Sequence, residues 1–258
     1  MHPILFQLGP IKIYAYGTML ATAFLIGIYK ISFNAEKEGI KKDYIFDLGF
    51  YVVLSAIIGA RLLYIIVNSK FFLENPLEII LFNHGGLVFY GGLIGAFIAS
   101  YIYIKKHNLP TWQISDLITP YLALGISITR IGCFLNGCCF GKETDSYFGI
   151  NCPIDSPAGI FYGKNLFIHP TQLYEFMYCF LLFILLIAFK KYKKFHGQLF
   201  WLFVLLYSIL RSINETLRGD VERGIYWIFS TSQWISFFTG LAAIIMLVIL
   251  RKNKIKFE

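Results

Sequence analysis

The feature that most constrains this sequence is a series of long apolar windows. The hydrocarbon core of a bilayer is about 30 Å thick, so a helix that crosses it needs about 20 mostly apolar residues. Seven windows of this kind occur, at 13–33, 46–67, 85–104, 114–134, 172–189, 198–213 and 234–250. Hydrophobic residues make up 57% of the chain and charged residues only 15%, a balance that excludes an ordinary soluble domain. We therefore predict an all-α polytopic integral membrane protein with about seven transmembrane helices.

The lysines and arginines between these windows predict the orientation, because cytoplasmic loops hold an excess of both. Fourteen lie on one side of the membrane in this arrangement and six on the other, while three lie within the windows. This places the N-terminus outside and the C-terminus in the cytoplasm. The net charge of +8 fits contact with anionic lipid headgroups, whereas binding to nucleic acid would need a basic soluble module that the sequence lacks.

The sequence contains no internal repeat and no long linker, so we expect a single integral membrane domain over residues 1–258. The first window is too long for a removable signal peptide and no small-residue cleavage pattern follows it, so it should remain in the mature protein. An outer loop at about 138–171 is rich in turn-forming residues. A shorter segment at 68–85 contains the amphipathic stretch KFFLENPLEIILF, which we expect at the outer interface.

Three arginines fall inside the windows, and the topology places Arg61, Arg130 and Arg211 near their outer ends. A single arginine at a helix end can simply extend its head to the interface. Three at one depth favour binding of a phosphate, because the planar guanidinium group forms paired hydrogen bonds with phosphate oxygens. The simplest phosphate at that depth belongs to a phospholipid headgroup.

Tyrosines and paired glycines fall at the same depth. Tyr16 lies near the outer start of the first window, where an aromatic belt is the common explanation for tyrosine. Tyr90 precedes Gly91 and Gly92 in the third window. The two glycines would allow a lipid or a backbone to approach closely, and close packing of helices explains them equally well.

The sequence YSILRSINETLRGD places Arg211, Glu215 and Arg218 at helical spacings of four and three. Both arginines can then reach Glu215, either as a structural ion-pair network or as a device that orients them for an anion. Further upstream, His169 opens the segment HPTQLYE. A histidine at a helix start is commonly a cap or a surface residue, but it is also the obvious group that titrates near neutral pH.

The segment RIGCFLNGCCFG at 130–141 contains three of the five cysteines, Cys133, Cys138 and Cys139. A disulfide from one of the adjacent pair to Cys152 is compatible with an outer location. Zinc is disfavoured, because no CxxC pair is present and adjacent cysteines are poorly spaced for a tetrahedral site. We expect structural packing or one disulfide here, and no metal site.

Several segments together resemble the bacterial prolipoprotein diacylglyceryl transferase family. They are, in order, HPILFQLGPIKIYAYGTM, GARLLY, GGLVFYGGLIG, RIGCFLNGCCFG, HPTQLYE, YSILRSINETLRGD and STSQW. The resemblance implies an enzyme of the bacterial cytoplasmic (inner) membrane with its active site near the outer leaflet. Its substrates would be phosphatidylglycerol and the signal peptide of a prolipoprotein with its lipobox cysteine, and its products a thioether and glycerol phosphate.

The resemblance also implies roles for individual residues. It places the essential family tyrosine at Tyr16, the signature arginine at Arg130, and the late arginine and glutamate at Arg211 and Glu215. Asn136 and Gly141 match the signature's asparagine and closing glycine. Two positions depart from the family pattern: Tyr90 stands where a histidine is frequent, and Cys133 stands where an asparagine is frequent.

We expect catalysis to depend on one group of residues and substrate binding on another. The first comprises Arg130, Arg211, Glu215, Tyr90 and His169. The second comprises Tyr16, Arg61, Gly91, Gly92, Asn136, Gly141 and Arg218. His169, Tyr90 and Glu215 compete for the role of the base that activates the incoming thiol, and no cofactor is required because phosphate can leave once its charge is neutralised.

Two other classes of protein remain as alternatives. A seven-span transporter or binding protein for an anion or a lipid headgroup would use the same arginines without catalysis, but its charges should be spread along a pathway at the membrane midplane. A thiol oxidoreductase would instead depend on Cys138 and Cys139.

Overall fold

The computed structural model of the protein describes residues 2–9, 11–79, 86, 88–220 and 224–255. Its long helices are α1 (Ala15–Lys37), α2 (Lys42–Val67), α4 (Phe89–Lys106), α5 (Thr111–Asn136), α7 (Thr171–Phe189), α8 (Gln198–Thr216) and α9 (Thr231–Ile255). Two short helices are α3 (Ser69–Glu74) and α6 (Pro157–Tyr162). Paired strands form three hairpins: β1 (Ile4–Leu8) with β2 (Ile11–Tyr14), β3 (Ile150–Cys152) with β4 (Leu166–Ile168), and β5 (Ile225–Tyr226) with β6 (Phe229–Ser230).

The mostly helical fold confirms the prediction of an all-α multi-pass membrane protein. Within the described residues, six of the long helices are long and apolar enough to cross a membrane, namely α1, α2, α5, α7, α8 and α9. The remaining window is present as α4, whose last turn contains Lys105 and Lys106. Its predicted start at Gly85 lies outside the described residues. The count of seven spans and the orientation of the termini stay predictions.

The first helix begins two residues later than predicted, because Ile13 and Tyr14 belong to strand β2. The backbone at Ile11–Tyr14 pairs with Ile4–Leu8 in an antiparallel hairpin, which satisfies its hydrogen bonds before the helix starts. At 68–79 the chain forms α3 and a 3-10 turn at Pro76–Ile79, so this part of the amphipathic stretch does not form a span. The rest of that stretch, at 80–82, lies outside the described residues.

The chain divides into two compact units, residues 1–30 with 115–258 and residues 31–114. In the second unit α2 and α4 pack closely through glycines. A Cβ atom on Gly91 would lie only 2.3 Å from the backbone oxygen of Gly59, and one on Gly95 would lie 2.4 Å from that of Ser55. Small residues of this kind let two helix backbones approach each other in a membrane. Packing therefore accounts for the first of the paired glycines.

In the larger unit a hydrophobic core joins α5, α7 and α8. Its buried members are Ala123, Leu182, Leu186, Leu199 and Phe203. These residues recur at helical spacing on α7 and α8 and fix the relative rotation of the two helices. The polar residues at the other end of the same helices are thereby directed towards one another.

The segment between α5 and α7 is a small folded structure, whereas its composition had predicted turns alone. Strands β3 and β4 pair, and α6 lies between them in the chain. Ser156 caps α6 by accepting a hydrogen bond from the Gly159 amide at 3.1 Å. A core of Phe140, Cys152, Ala158, Leu166 and Ile168 is buried beneath. The apolar residues that form this core alternate with the turn residues in the sequence, and the turn signals obscured them.

A buried carboxylate holds the start of α8. Asp116 on α5 accepts hydrogen bonds from the backbone amides of Gly197 at 2.7 Å and Phe200 at 3.0 Å, and it pairs with Lys193 at 3.3 Å. Its side chain is only 1% exposed. Asp116 thus satisfies amides at a helix N-terminus that have no partner within the helix, and does so from a different helix.

We expect Asp116→Ala to destabilise the protein by about 3 kcal/mol, because the change removes the helix cap and leaves the Lys193 charge poorly compensated. The midpoint of thermal unfolding in detergent measures the effect. Asp145→Ala removes an exposed aspartate and serves as the matched control. Equal midpoints for the two variants would show that the cap does not stabilise the fold.

Candidate active site

Glu175 is the centre of a buried ionic cluster between α5, α7 and α8. Its Oε1 atom lies 2.9 Å from Arg130 Nη2 and accepts a hydrogen bond from the hydroxyl of Tyr207 at 3.0 Å. Its Oε2 atom lies 3.6 Å from Arg211 Nη1 and accepts a hydrogen bond from the side-chain Nδ2 atom of Asn214 at 3.4 Å. Two arginines that are distant in sequence are therefore held on one carboxylate, whose side chain is 3% exposed.

The predicted stripe continues this cluster, with Arg211 and Glu215 on α8 and Arg218 two residues beyond the end of the helix. Arg211 Nη2 lies 2.8 Å from Glu215 Oε2, and Arg218 Nη1 lies 3.6 Å from the same oxygen. Arg218 also binds both carboxylate oxygens of Asp220. We call Arg130, Glu175, Arg211, Glu215 and Arg218 the arginine cluster.

The arginines of the arginine cluster are more accessible than its carboxylates. The side chains of Arg130, Arg211 and Arg218 are 19%, 11% and 12% exposed, whereas those of Glu175 and Glu215 are 3% and 1% exposed. The three cations therefore lie nearer the accessible surface than the two glutamates, and the Asp220 carboxylate, 19% exposed, lies there beside Arg218. Such a surface can bind an anion through guanidinium groups whose orientation is already fixed.

One nitrogen of Arg211 lacks a hydrogen-bond partner among the described residues. Its Nη1 atom is buried and makes no hydrogen bond with the described residues, since the contact with Glu175 at 3.6 Å is an ion pair without hydrogen-bond geometry. Its Nη2 atom is held by Glu215 and lies 3.4 Å from the Ser232 hydroxyl. A buried donor without a partner is costly, so this nitrogen favours an acceptor from a ligand.

Gly141 joins the end of the signature segment to the other parts of the cluster. It forms an isolated antiparallel bridge with Arg218, and the His169 amide donates to the carbonyl of Lys142 at 3.0 Å. A Cβ atom on Gly141 would lie 2.3 Å from the backbone oxygen of His169. Glycine is required here by close backbone packing, which brings Arg218 and His169 to the same place.

His169 itself is partly buried just before α7. Its Nδ1 atom lies 3.3 Å from the hydroxyl of Tyr174, so one ring nitrogen is engaged by a neighbour on the next turn. The Thr171 amide donates to the His169 carbonyl at 2.8 Å and fixes the backbone at the helix start. The imidazole is thus oriented by its neighbours, as a proton-transferring group must be.

Tyr16 and Asn136, two predicted binding residues, lie in the same compact unit as the arginine cluster. A Cβ atom on Gly132 would lie 3.0 Å from the Tyr16 Cα, so α1 packs against α5 at the residue before Cys133. Tyr16 lies close enough to Arg130 for their charges to interact. Asn136 is the last residue of α5, and its side chain lies against the Cys138 thiol. Their roles in binding stay predictions.

The cysteines of the signature segment form a cluster that the sequence did not predict. The Sγ atoms of Cys133, Cys138 and Cys139 all lie within 4.8 Å of one another, and we call these residues the thiol cluster. All five cysteines are free, so the disulfide to Cys152 is not formed. Hydrogen bonds from the Cys133 and Cys138 thiols lower the pKa of Cys139, with Arg218 acting in the same direction.

The remaining predicted residues belong to the other compact unit. Arg61 is buried and donates to the backbone oxygens of Glu78 at 2.5 Å, Gly86 at 3.4 Å and Ile79 at 3.5 Å. Its guanidinium group also lies 5.4 Å from the centre of the Phe72 ring. Arg61 therefore holds the backbone at Glu78, Ile79 and Gly86.

Tyr90, Gly91 and Gly92 lie in the first turn of α4. Tyr90 is 48% exposed. A Cβ atom on Gly92 would lie 3.1 Å from the backbone oxygen of Ala56, so the second glycine of the pair also lies in the contact with α2. Their binding roles, and the role of Tyr90 as a base, stay predictions.

Comparison with known proteins identifies the family. The family model for prolipoprotein diacylglyceryl transferase matches residues 3–249. The phosphatidylglycerol–prolipoprotein diacylglyceryl transferase of Clostridium tetani is 39% identical over 254 residues, which cover 98% of this chain and 100% of that protein. The chain belongs to the prolipoprotein diacylglyceryl transferase family. Proteins of the same name from Bacillus cereus and Bacillus mycoides are each 37% identical over 216 residues, covering 83% of this chain and 80% of theirs.

For this family member, Glu175 is the site residue that sequence reasoning missed. It lies in HPTQLYE, a segment in which only the histidine was predicted to act. A glutamate inside the first turns of an apolar span is unusual, and a buried carboxylate needs a cationic partner. That signal, taken together with the unpaired arginines of two other spans, could have identified it.

Proposed function

We propose that this protein transfers the diacylglyceryl group of phosphatidylglycerol to the thiol of a lipobox cysteine in a bacterial prolipoprotein. The reaction takes place at the arginine cluster, which we place near the outer leaflet of the bacterial cytoplasmic membrane. The names of the relatives describe this activity for those proteins. The observation that carries the proposal is the convergence of Arg130 and Arg211 on Glu175, with both arginine side chains more exposed than the carboxylate between them.

The arginine cluster suits the phosphate of a phospholipid because it offers permanent positive charge in a fixed geometry. Arg211 Nη1 has no hydrogen-bond partner among the described residues and is buried, so a phosphate oxygen accepts from it once the side chain turns towards the ligand. Arg130 presents the second guanidinium group across Glu175. The two arginines then bind the phosphate from two helices.

In the reaction, the lipobox thiolate attacks the glyceryl CH2 group that carries the phosphate ester. A carbon–sulfur bond forms and the carbon–oxygen bond to phosphate breaks, so that glycerol phosphate leaves with the bonding electron pair. Negative charge grows on the departing oxygen, and Arg130 with Arg211 stabilises it. The thiol proton passes to a base in the protein.

Among the candidate bases of the larger unit, His169 is better suited than Glu215. Glu215 pairs with both Arg211 and Arg218 and its side chain is only 1% exposed, so a substrate thiol cannot approach it directly. His169 makes no ion pair within the described residues and keeps one ring nitrogen beyond its contact with Tyr174. We therefore assign the role of general base to His169.

An apolar groove between α8 and α9 suits an acyl chain of the lipid. Its volume is about 710 Å³, and it is lined mainly by Ile209, Ile213, Phe237 and Ile244. Ser212 also lines it, and this residue follows Arg211 in the chain. An acyl chain in this groove would extend from a phosphate held at the arginine cluster into the apolar interior.

The test is to incubate the purified full-length protein with phosphatidylglycerol vesicles and a peptide that contains a lipobox cysteine. We expect a peptide whose mass has increased by one diacylglyceryl group, and none with a peptide in which the cysteine is serine. Binding of phosphatidylglycerol by folded protein without any modified peptide would contradict the enzyme assignment and favour a lipid-binding protein. A product formed equally from phosphatidylethanolamine would contradict the assigned substrate.

We expect His169→Gln to lower kcat/KM by about 100-fold, because glutamine cannot accept the thiol proton. The rate of the parent protein should depend on pH because a general base takes part in the reaction, and this dependence should be lost in the variant. Rates of thioether formation across the pH range measure both effects.

His196→Gln removes an exposed histidine and is the matched control. Tyr90→Phe tests the competing base and should keep the pH dependence of the parent protein. An unaltered pH profile in His169→Gln, or loss of the pH dependence in Tyr90→Phe, would overturn the assignment.

A further inference from the structure

The thiol cluster is formed by the way α5 ends. The amides of Gly137 and Cys138 both donate to the carbonyl of Cys133, at 2.9 and 3.2 Å. Gly137 has a φ of 78° and Cys139 a φ of 61°, so the backbone turns sharply through the left-handed region. The turn carries the adjacent cysteines back over the last turn of the helix, where Cys133 lies.

Helix α7 holds this turn in place. Thr171 donates its hydroxyl proton to the carbonyl of Cys139 at 2.8 Å, and Gln172 donates from its side-chain amide to the carbonyl of Cys138 at 2.7 Å. Both side chains are 1% exposed. The backbone beneath two of the three sulfur atoms is therefore fixed by buried hydrogen bonds.

The geometry of the sulfur atoms fits a thiophilic metal ion. A tetrahedral zinc ion with zinc–sulfur bonds of about 2.3 Å separates its sulfur ligands by about 3.8 Å. The three Sγ atoms are already within 4.8 Å of one another. Shifts of about 1 Å or less in their separations would give the spacing of sulfur ligands around zinc. From the sequence, zinc was disfavoured because of the spacing of the adjacent cysteines. In the structure the end of α5 also brings the Cys133 sulfur to that pair.

From this geometry we propose that Cys133, Cys138 and Cys139 bind a thiophilic divalent metal ion such as Zn(II) through three thiolates. The fourth position is left for water or another ligand, as in open zinc sites. Binding converts three thiols to thiolates and releases their protons. Three thiolates and one divalent ion together carry one net negative charge.

That charge would lie beside the phosphate-binding residues. Arg130 Nη1 lies 3.7 Å from Cys133 Sγ, and Arg218 lies close enough to Cys139 for their charges to interact. A negative metal–thiolate centre would attract these guanidinium groups and compete with the lipid phosphate for them. We therefore infer that metal binding inhibits the enzyme, an effect that rests on the proposed function, whereas the metal site itself does not.

The metal site is tested with reduced, full-length protein in detergent, titrated with Cd(II) as a spectroscopic substitute for Zn(II). We expect a thiolate-to-metal charge-transfer band that saturates at one equivalent and is competed away by Zn(II). Cys139→Ala should lose the band, and Cys152→Ala, which removes a buried cysteine outside the thiol cluster, should keep it. A band of equal strength in Cys139→Ala, or no band in the parent, would overturn the proposal.

A second measurement does not depend on how well the variants fold. Alkylation of the parent with a maleimide, followed by mass measurement of peptides, counts which thiols Zn(II) protects. We expect protection at Cys133, Cys138 and Cys139 together. Unchanged alkylation of Cys138 and Cys139 in the presence of Zn(II) would contradict the site.

The inhibitory effect is tested by transfer assays with and without Zn(II). We expect a several-fold rise in KM for phosphatidylglycerol in the parent and in Cys152→Ala, and no rise in Cys139→Ala. Metal binding with an unchanged KM would contradict the inhibition while leaving the site intact. Absence of transfer in metal-free protein would instead contradict the proposed function, and the Cd(II) band would still report on the metal site.

Discussion

Replacing Glu175 with glutamine is expected to lower the rate of diacylglyceryl transfer by about 100- to 1,000-fold. The carboxylate holds Arg130 at 2.9 Å and Arg211 at 3.6 Å, and it also accepts hydrogen bonds from Tyr207 and Asn214. A glutamine of the same size directs a donating NH2 group at some of these donors. The two guanidinium groups should then lose the orientation in which they bind phosphate.

The same variant should be less stable by about 3 kcal/mol, because a buried arginine loses its charged partner. Initial rates of peptide modification and thermal unfolding measure the two effects. Glu143→Gln makes the same chemical change in the exposed pair with Lys164 and should alter neither. A Glu175→Gln variant with the rate and stability of Glu143→Gln would show that Glu175 does not position the arginines.

Replacing Arg130 with lysine has the second large expected effect, a fall of about 100-fold in kcat/KM. Lysine keeps the positive charge but loses the planar group that can bind Glu175 and a phosphate oxygen at the same time. Because the interaction strengthens as charge develops on the departing phosphate, kcat should fall together with kcat/KM. Steady-state rates over a range of phosphatidylglycerol concentrations separate the two.

Arg251→Lys, at an exposed position near the end of α9, is the matched control and should retain the parent rates. An Arg130→Lys variant that turns over normally would show that charge alone is sufficient at this position. A rise in KM with unchanged kcat would instead restrict Arg130 to binding of the ground state.

The transmembrane helices could be predicted from the sequence because apolar length depends only on neighbouring residues. The window at 198–213 begins at the same residue as α8, and that at 172–189 ends at the same residue as α7. The structure of the loop at 138–171 could not be predicted in this way. Its core pairs Cys152 with Leu166 across a hairpin, and such pairing depends on contacts between distant residues.

In the candidate site, too, contacts between residues near in sequence could be predicted and contacts between distant residues could not. The pairs of Glu215 with Arg211 and Arg218 follow from spacings of four and three, and the sequence predicted them, although α8 ends just before Arg218. The pair of Arg130 with Glu175 joins two helices, and no spacing rule predicts it. Asp116 was missed for the same reason, because the amides that it caps belong to another helix.

The most direct test of the central claim, that the arginine cluster stabilises a departing glycerol phosphate, is to count both products of one reaction. Phosphorus NMR measures the glycerol phosphate released, and mass spectrometry measures the thioether peptide. We expect one glycerol phosphate for each modified peptide, with both products reduced in parallel by Glu175→Gln and Arg130→Lys. Modified peptide without glycerol phosphate, or glycerol phosphate released without modified peptide, would contradict the proposed reaction.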